Sequence, residues 1–147
     1  MERKIKALIQ QAIDQATMSR EFYRTMANLV EHPETKETFQ YLAKNEEDHK
    51  RFFQKILDEA VCPLEVPVQD RHLSEFLEMP HITRHMSPKE ALALAIRREE
   101  ILQKFYKNLE DVQPPGEIKN LLKEMALIKL EHKEKLEYLY DAWPFQK

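Results

Sequence analysis

Five ionisable residues fall where apolar stripes should continue. Phe39, Leu42, Ala43, Glu46, His49, Phe53 and Ile56 recur at helical spacing, which puts a carboxylate and an imidazole on the apolar side of a helix. Glu46 and His49 are three residues apart and so share one face. Glu99 interrupts the stripe Leu92, Ala95, Ile96, Leu102, Tyr106 in the same way. Lys129 and His132 interrupt the stripe Ile118, Leu122, Met125, Leu136, Leu139. A buried charge is costly unless a partner or a metal compensates it. Carboxylate oxygens and imidazole nitrogens are donors that Fe(II), Mn(II) and Zn(II) all accept. The pattern therefore admits two readings: a metal centre, or a polar core in which Glu46, Glu99, Lys129 and the histidines hydrogen-bond one another.

Long helices are needed to bring these residues together. Ile5, Leu8, Ile9, Ala12, Ile13, Ala16, Phe22, Tyr23, Met26 and Leu29 predict an amphipathic helix over residues 3 to 30, ended by Pro33. A second helix follows to about Ala60, with Pro33 suited to its first turn. From 61 to 87 the chain holds Pro63, Pro67 and Pro80 and loses periodicity, apart from HLSEFLE, which suits two helical turns; this stretch is expected to be a crossover. Ser87-Pro88-Lys89-Glu90 is a capping box that opens a third long helix, running to about Asp111. Gln113-Pro114-Pro115-Gly116 breaks it, and a fourth long helix runs to about Ala142.

The two halves match at a constant offset of 83: Ala12-Ile13 with Ala95-Ile96, Phe22-Tyr23 with Phe105-Tyr106, Ala43 with Ala126, and His49 with His132. An internal duplication accounts for this. Two antiparallel hairpins joined by a long crossover make an all-α four-helix bundle of ferritin-like connectivity, whose core can host metals on facing helices. With 147 residues, the chain is read as one domain, 1–147.

With Ala-Ile-x-x-Glu, Phe-Tyr and Glu-x-x-His elements in view, the chain resembles the rubrerythrin-type ferritin-like di-iron proteins, over nearly its whole length. The resemblance implies two irons held by four glutamates and two histidines. Carried over residue by residue, Glu46 and His49 match the first Glu-x-x-His, Glu99 the terminal carboxylate of the third long helix, and His132 the second histidine. Two positions depart: Ala16 stands where the first helix should supply a carboxylate, and Lys129 where the second bridging glutamate should be. In the implied geometry both departures strip the same metal. We expect the Lys129 ammonium, given room by the small Ala16, to sit near that lost metal and pair with Glu46. Glu99, His132 and Glu46 then remain for one divalent ion, with iron, manganese and zinc all eligible.

Composition narrows what remains. With 23 Lys+Arg against 26 Asp+Glu, the net charge of -3 gives no electrostatic reason to expect nucleic acid or anionic membrane. No apolar run approaches the roughly 20 residues that span a bilayer. The single cysteine, Cys62, and the absence of a signal-like apolar start lead us to expect a reducing, cytoplasmic setting. One cysteine also cannot build the four-cysteine module that supplies electrons in whole rubrerythrins, so a redox activity on peroxide or oxygen implies an external electron donor. The rival expectation is a non-enzymatic binding or interaction protein with a degenerate metal site. A homodimer is expected by analogy with the fold.

Other residues are expected to do less. His72, His81, His85 and Cys62 lie in the crossover and read as solvated surface. Tyr23 and Tyr106 read as core aromatics that are also able to donate hydrogen bonds to the site. The runs Asn45-Glu46-Glu47-Asp48 and Arg97-Arg98-Glu99-Glu100 read as solvated faces with only Glu46 and Glu99 turned inward. Trp143-Pro144-Phe145 is read as an anchor for the last helix or a dimer contact.

Overall fold

A computed structural model describes residues 3–59, 64–67, 73–83 and 85–143. Among them are five helices: α1 (Arg3–Leu29), α2 (Pro33–Asp58), α3 (Leu73–Leu77), α4 (Pro88–Val112) and α5 (Glu117–Ala142). The long helices begin and end where capping chemistry dictates. His32 caps α2, its Nδ1 accepting the Thr35 N–H at 3.4 Å, and Pro33 occupies the first turn. Ser87 caps α4: its Oγ accepts the Glu90 N–H at 3.2 Å and donates to the Glu90 carboxylate at 3.1 Å. Gly116, the N-cap of α5, has φ 155°, a backbone conformation that L side chains rarely adopt.

α1 packs along α2, and α4 along α5, as two hairpins; α2 and α5 also meet, closing a four-helix bundle of the ferritin-like type. The apolar stripes form two separate cores. One, with Ile9, Phe53, Ile56, Phe105, Leu109 and Leu122, fills the end near the start of α1. The other, with Met26, Phe39, Leu42, Leu92, Leu136 and Leu139, fills the opposite end. Glu46, Glu99, Lys129 and His132, none more than 1% exposed, share the buried interior with these two cores.

The crossover is fastened at several points. Phe76 of α3 is fully buried and stacks on Phe105 with ring centroids 3.8 Å apart. The Gln113 side chain accepts the Glu65 N–H at 3.0 Å and donates to the Glu65 carbonyl at 2.8 Å. Arg98 donates to the Pro80 carbonyl at 2.7 Å. Trp143 is buried in the second core, as an anchor for α5. Cys62, His72, Pro144 and Phe145, each singled out above, lie outside the described residues.

Candidate metal centre

Four helices contribute to one polar cluster. α5 carries Lys129 into the interior, where its ammonium binds Glu46 Oε1 of α2 and Glu99 Oε1 of α4, the latter at 3.2 Å. From α1, the Tyr23 hydroxyl donates to Glu99 Oε1 at 2.8 Å. Tyr23 is therefore both a core aromatic and a partner of the site. One turn along α5, His132 Nδ1 lies 3.2 Å from Glu99 Oε2 and 3.7 Å from Glu46 Oε1.

The far side of His132 is held as well. Its Nε2 is 3.0 Å from the side-chain amide of Asn45. An amide can present either its NH2 or its oxygen, so Asn45 is able to support either imidazole tautomer. In the structure the amide nitrogen faces Nε2, so Asn45 donates there and Nδ1–H points at Glu99 Oε2; turning the amide over would put its oxygen on Nε2–H and free the Nδ1 lone pair for an ion. A ring nitrogen oriented from behind in this way is the usual support of a metal-ligating histidine.

Within the cluster, the atoms already bonded and the atoms left over separate cleanly. Oε1 of Glu46 and Oε1 of Glu99 are engaged by Lys129, and Glu99 also by Tyr23. Glu46 Oε2 is buried with no hydrogen-bond partner, and Glu99 Oε2 and His132 Nδ1, also buried, have only each other, at 3.2 Å. Glu46, Glu99 and His132 can each offer a donor atom within 4.8 Å of the others. Buried polar atoms without partners are uncommon and call for a ligand, a water or a proton.

The electrostatics follow from how many donors each carboxylate has. Burial pushes the Glu99 carboxyl up, but Lys129, His132 and the Tyr23 hydroxyl outweigh it and hold the group at about 2. Glu46 is equally buried and meets the same ammonium without the tyrosine; burial prevails and its carboxyl is raised. Burial pulls Lys129 down, yet the two glutamates raise it above the usual lysine value, so it remains an ammonium. Two carboxylates and one ammonium leave one net negative charge in the cluster.

Arg98 corrects the sequence reading, which placed it on a solvated face. Its side chain is 1% exposed and points into the bundle, where it donates to Gln15 Oε1 at 2.9 Å, Ser19 Oγ at 3.2 Å and the Pro80 carbonyl. Among the described residues no carboxylate pairs with it directly, so it is a second interior cation that offsets the residual charge of the cluster from a distance. The signal was available: Arg98 is 83 residues from Gln15, and the two meet, as Lys129 meets Glu46 at the same separation. Residues equivalent under the duplication face each other across the bundle, and two like charges in such a pair would repel. Asn45, also read as solvated, is half-buried because it serves His132.

His49 is not brought into the group formed by Glu46, Glu99 and His132. It is 3% exposed, rests edge-on against Tyr106 with ring centroids 5.6 Å apart, and has no hydrogen-bond partner on either nitrogen. Burial, with Lys129 and His132 nearby, keeps its imidazole neutral well below the ordinary histidine value. The residues equivalent to His132's own partners are Ala16 in place of Glu99 and Ile128 in place of Asn45. Ala16 is buried and supplies no ligand atom. His81 and His85 are exposed.

A pair of irons of the kind expected for the fold does not fit these residues. One half of the cluster has lost its carboxylate at Ala16, and an ammonium occupies the space between Glu46 and Glu99. A single divalent ion does fit, because two carboxylates and an imidazole with an oriented far side are an ordinary ligand set for one. A family model described as Rubrerythrin matches residues 2–89, more than half of the chain, including Ala16, Glu46 and His49. No curated protein and no solved structure matches the chain.

Proposed function

The chain belongs to the rubrerythrin family, and we propose that it is a ferritin-fold protein that binds one divalent metal ion through Glu46, Glu99 and His132, the Lys129 ammonium standing in for a second ion. The observation that carries this reading is the make-up of the cluster: three buried groups each offer a donor atom within 4.8 Å of the others, Glu46 Oε2 has no partner and Glu99 Oε2 and His132 Nδ1 have only each other, while other atoms of the same groups are held by protein. Asn45 orients His132, Tyr23 orients Glu99, and Lys129 fixes both carboxylates. Bound iron would supply one-electron chemistry toward peroxide or oxygen, with electrons from a separate donor. The chain's own part is to hold the ligands dry and to keep Glu99 ionised at any ordinary pH.

Anaerobic equilibrium dialysis of metal-free protein against Fe(II), Mn(II) and Zn(II) tests the reading. One ion per chain is expected, with binding lost in Glu99→Gln. A stoichiometry unchanged in that variant removes Glu99 from the site, and two ions per chain in the wild type removes the role given to Lys129.

One observation favours a second reading, in which the cluster is a metal-free polar core. Lys129 already bonds both carboxylates, and Arg98 supplies the second positive charge, so the interior is electrically balanced without an ion. That reading expects no ion in dialysis and a melting temperature indifferent to chelator, whereas a ligand bound only by the native state raises it.

A further inference from the structure

Glu46, Glu99 and His132 are sealed from solvent, so an ion that binds them has to pass between helices. Two clefts lead inward. One, of about 120 Å³ between α4 and α5, reaches Glu99 and Lys129, and its mouth carries Lys104 and Lys133 beside Glu100. The other, of about 190 Å³ between α2 and α5, has His49 and Asn45 in its wall and the exposed carboxylates of Asp48 and Glu124 at its rim. Their charges are opposite. Three lysines against Glu99 and Glu100 leave the first lined by one net positive charge, which opposes a cation, while Asp48 and Glu124, with no lysine or arginine in the lining, give the second two negative charges, which favour one.

We infer that the α2–α5 cleft is the loading path for the divalent ion, with His49 as the relay ligand that takes it from Asp48 and Glu124 and passes it to Glu46. This rests on the single-ion reading above. His49 is the independent observation behind it: a buried imidazole lining that cleft, with both nitrogens unpartnered. The positions that would have served it now hold Ala16 and Ile128, yet the imidazole is kept at the cost of leaving its nitrogens unsatisfied. It lies one turn from Glu46 on the same face of α2, so an ion leaving His49 meets a ligand of the buried site next.

The inference predicts a rate, whereas the single-ion reading predicts an equilibrium. Co(II) uptake by metal-free protein, followed by its visible absorption, should slow by about tenfold or more in Asp48→Asn/Glu124→Gln and in His49→Gln, while final stoichiometry stays the same. Lys104→Gln/Lys133→Gln should load no more slowly than the wild type. Wild-type rates in the first two variants, or slow loading in the lysine variant, would overturn the path. A second measurement does not need the buried site: in Glu99→Gln, Mn(II) should broaden the ring resonances of His49, assigned with His49→Gln, and the added Asp48→Asn/Glu124→Gln changes should abolish the effect. No broadening at His49 sinks the relay even if the wild type binds one ion. Broadening there, with no ion held by the wild type at equilibrium, leaves the cleft standing and removes the buried centre instead.

Discussion

Glu46 and Glu99 share one ammonium, yet burial prevails at Glu46 and the partners prevail at Glu99. Glu99 has the Tyr23 hydroxyl and the nearer approach of His132 in addition, so the two groups differ by their neighbours and not by their depth. Each is nonetheless needed to hold Lys129 in a dry interior. Glu46→Ala is therefore expected to destabilise the metal-free protein by about 3–5 kcal/mol, read from urea denaturation, because it strands part of a buried positive charge. The converse change tests the account of Lys129 as a cation substitute. Ala16→Glu combined with Lys129→Glu restores two carboxylates and removes the ammonium, and dialysis should then find two ions per chain; one or none means that the space around Lys129 is not a vacated metal position.

Arg98 adds a polar tie to three elements that the first apolar core also joins: α1, α4 and the crossover. Its guanidinium bonds Gln15 and Ser19 of α1 from its own place on α4, and it reaches the carbonyl of Pro80 in the crossover. Hydrogen bonds to a charged group contribute about 1.5–3 kcal/mol, and Arg98→Leu removes them together while leaving their acceptors buried. We expect a loss of at least that size in global stability. The amide of Met79, which donates to the Phe76 carbonyl at 3.3 Å, should also exchange its proton faster. Unchanged exchange at Met79 would mean that Phe76 stacking on Phe105 holds the crossover without Arg98.

The interior charges make the stability of the whole bundle depend on pH, and the signs are fixed by which state binds protons. His49 in the fold titrates well below 6.5, so below that pH the unfolded chain takes up a proton that the fold refuses; its contribution is whole above 6.5 and declines as pH falls. Glu99 moves from 4.5 to about 2 on folding, so its contribution is whole above 4.5 and is lost between 4.5 and 2. Glu46 acts against His49: its raised value means that the fold takes up a proton above pH 4.5 that the unfolded chain does not, so stability rises there as pH falls. Lys129 is raised, so its contribution is complete below 10.5 and is lost as pH rises through the folded value. Between pH 6.5 and 4.5 the falling His49 contribution runs against the rising Glu46 one, so His49→Phe should raise the urea midpoint at pH 4.5 relative to that at pH 6.5; an unaltered slope in the variant would remove His49 from the pH dependence.

Local sequence chemistry was enough to predict the long helices, the Ser87 cap and the pairing into hairpins, because 3.6-residue periodicity, Pro33, Ser87-Pro88 and Gln113-Pro114-Pro115-Gly116 act within a few residues of themselves; the His32 cap of α2 was not read from it. It also exposed Glu46, Glu99, Lys129 and His132 as polar residues on apolar stripes, since burial of a helix face follows from spacing alone. Two things were decided only by tertiary packing. Arg98 and Asn45 sit beside Glu99 and Glu46 in runs of charge, and a run on one helix does not say which of its members a neighbouring helix will claim: Gln15, Ser19 and Pro80 claim Arg98, and His132 claims Asn45. Likewise His49 and His132 are equivalent by sequence offset, but only the three-dimensional arrangement separates a histidine with a carboxylate and an amide around it from one with neither. Asn45, 87 residues from His132, and Glu99 on another helix make that difference, and no local pattern specifies contacts at such separation.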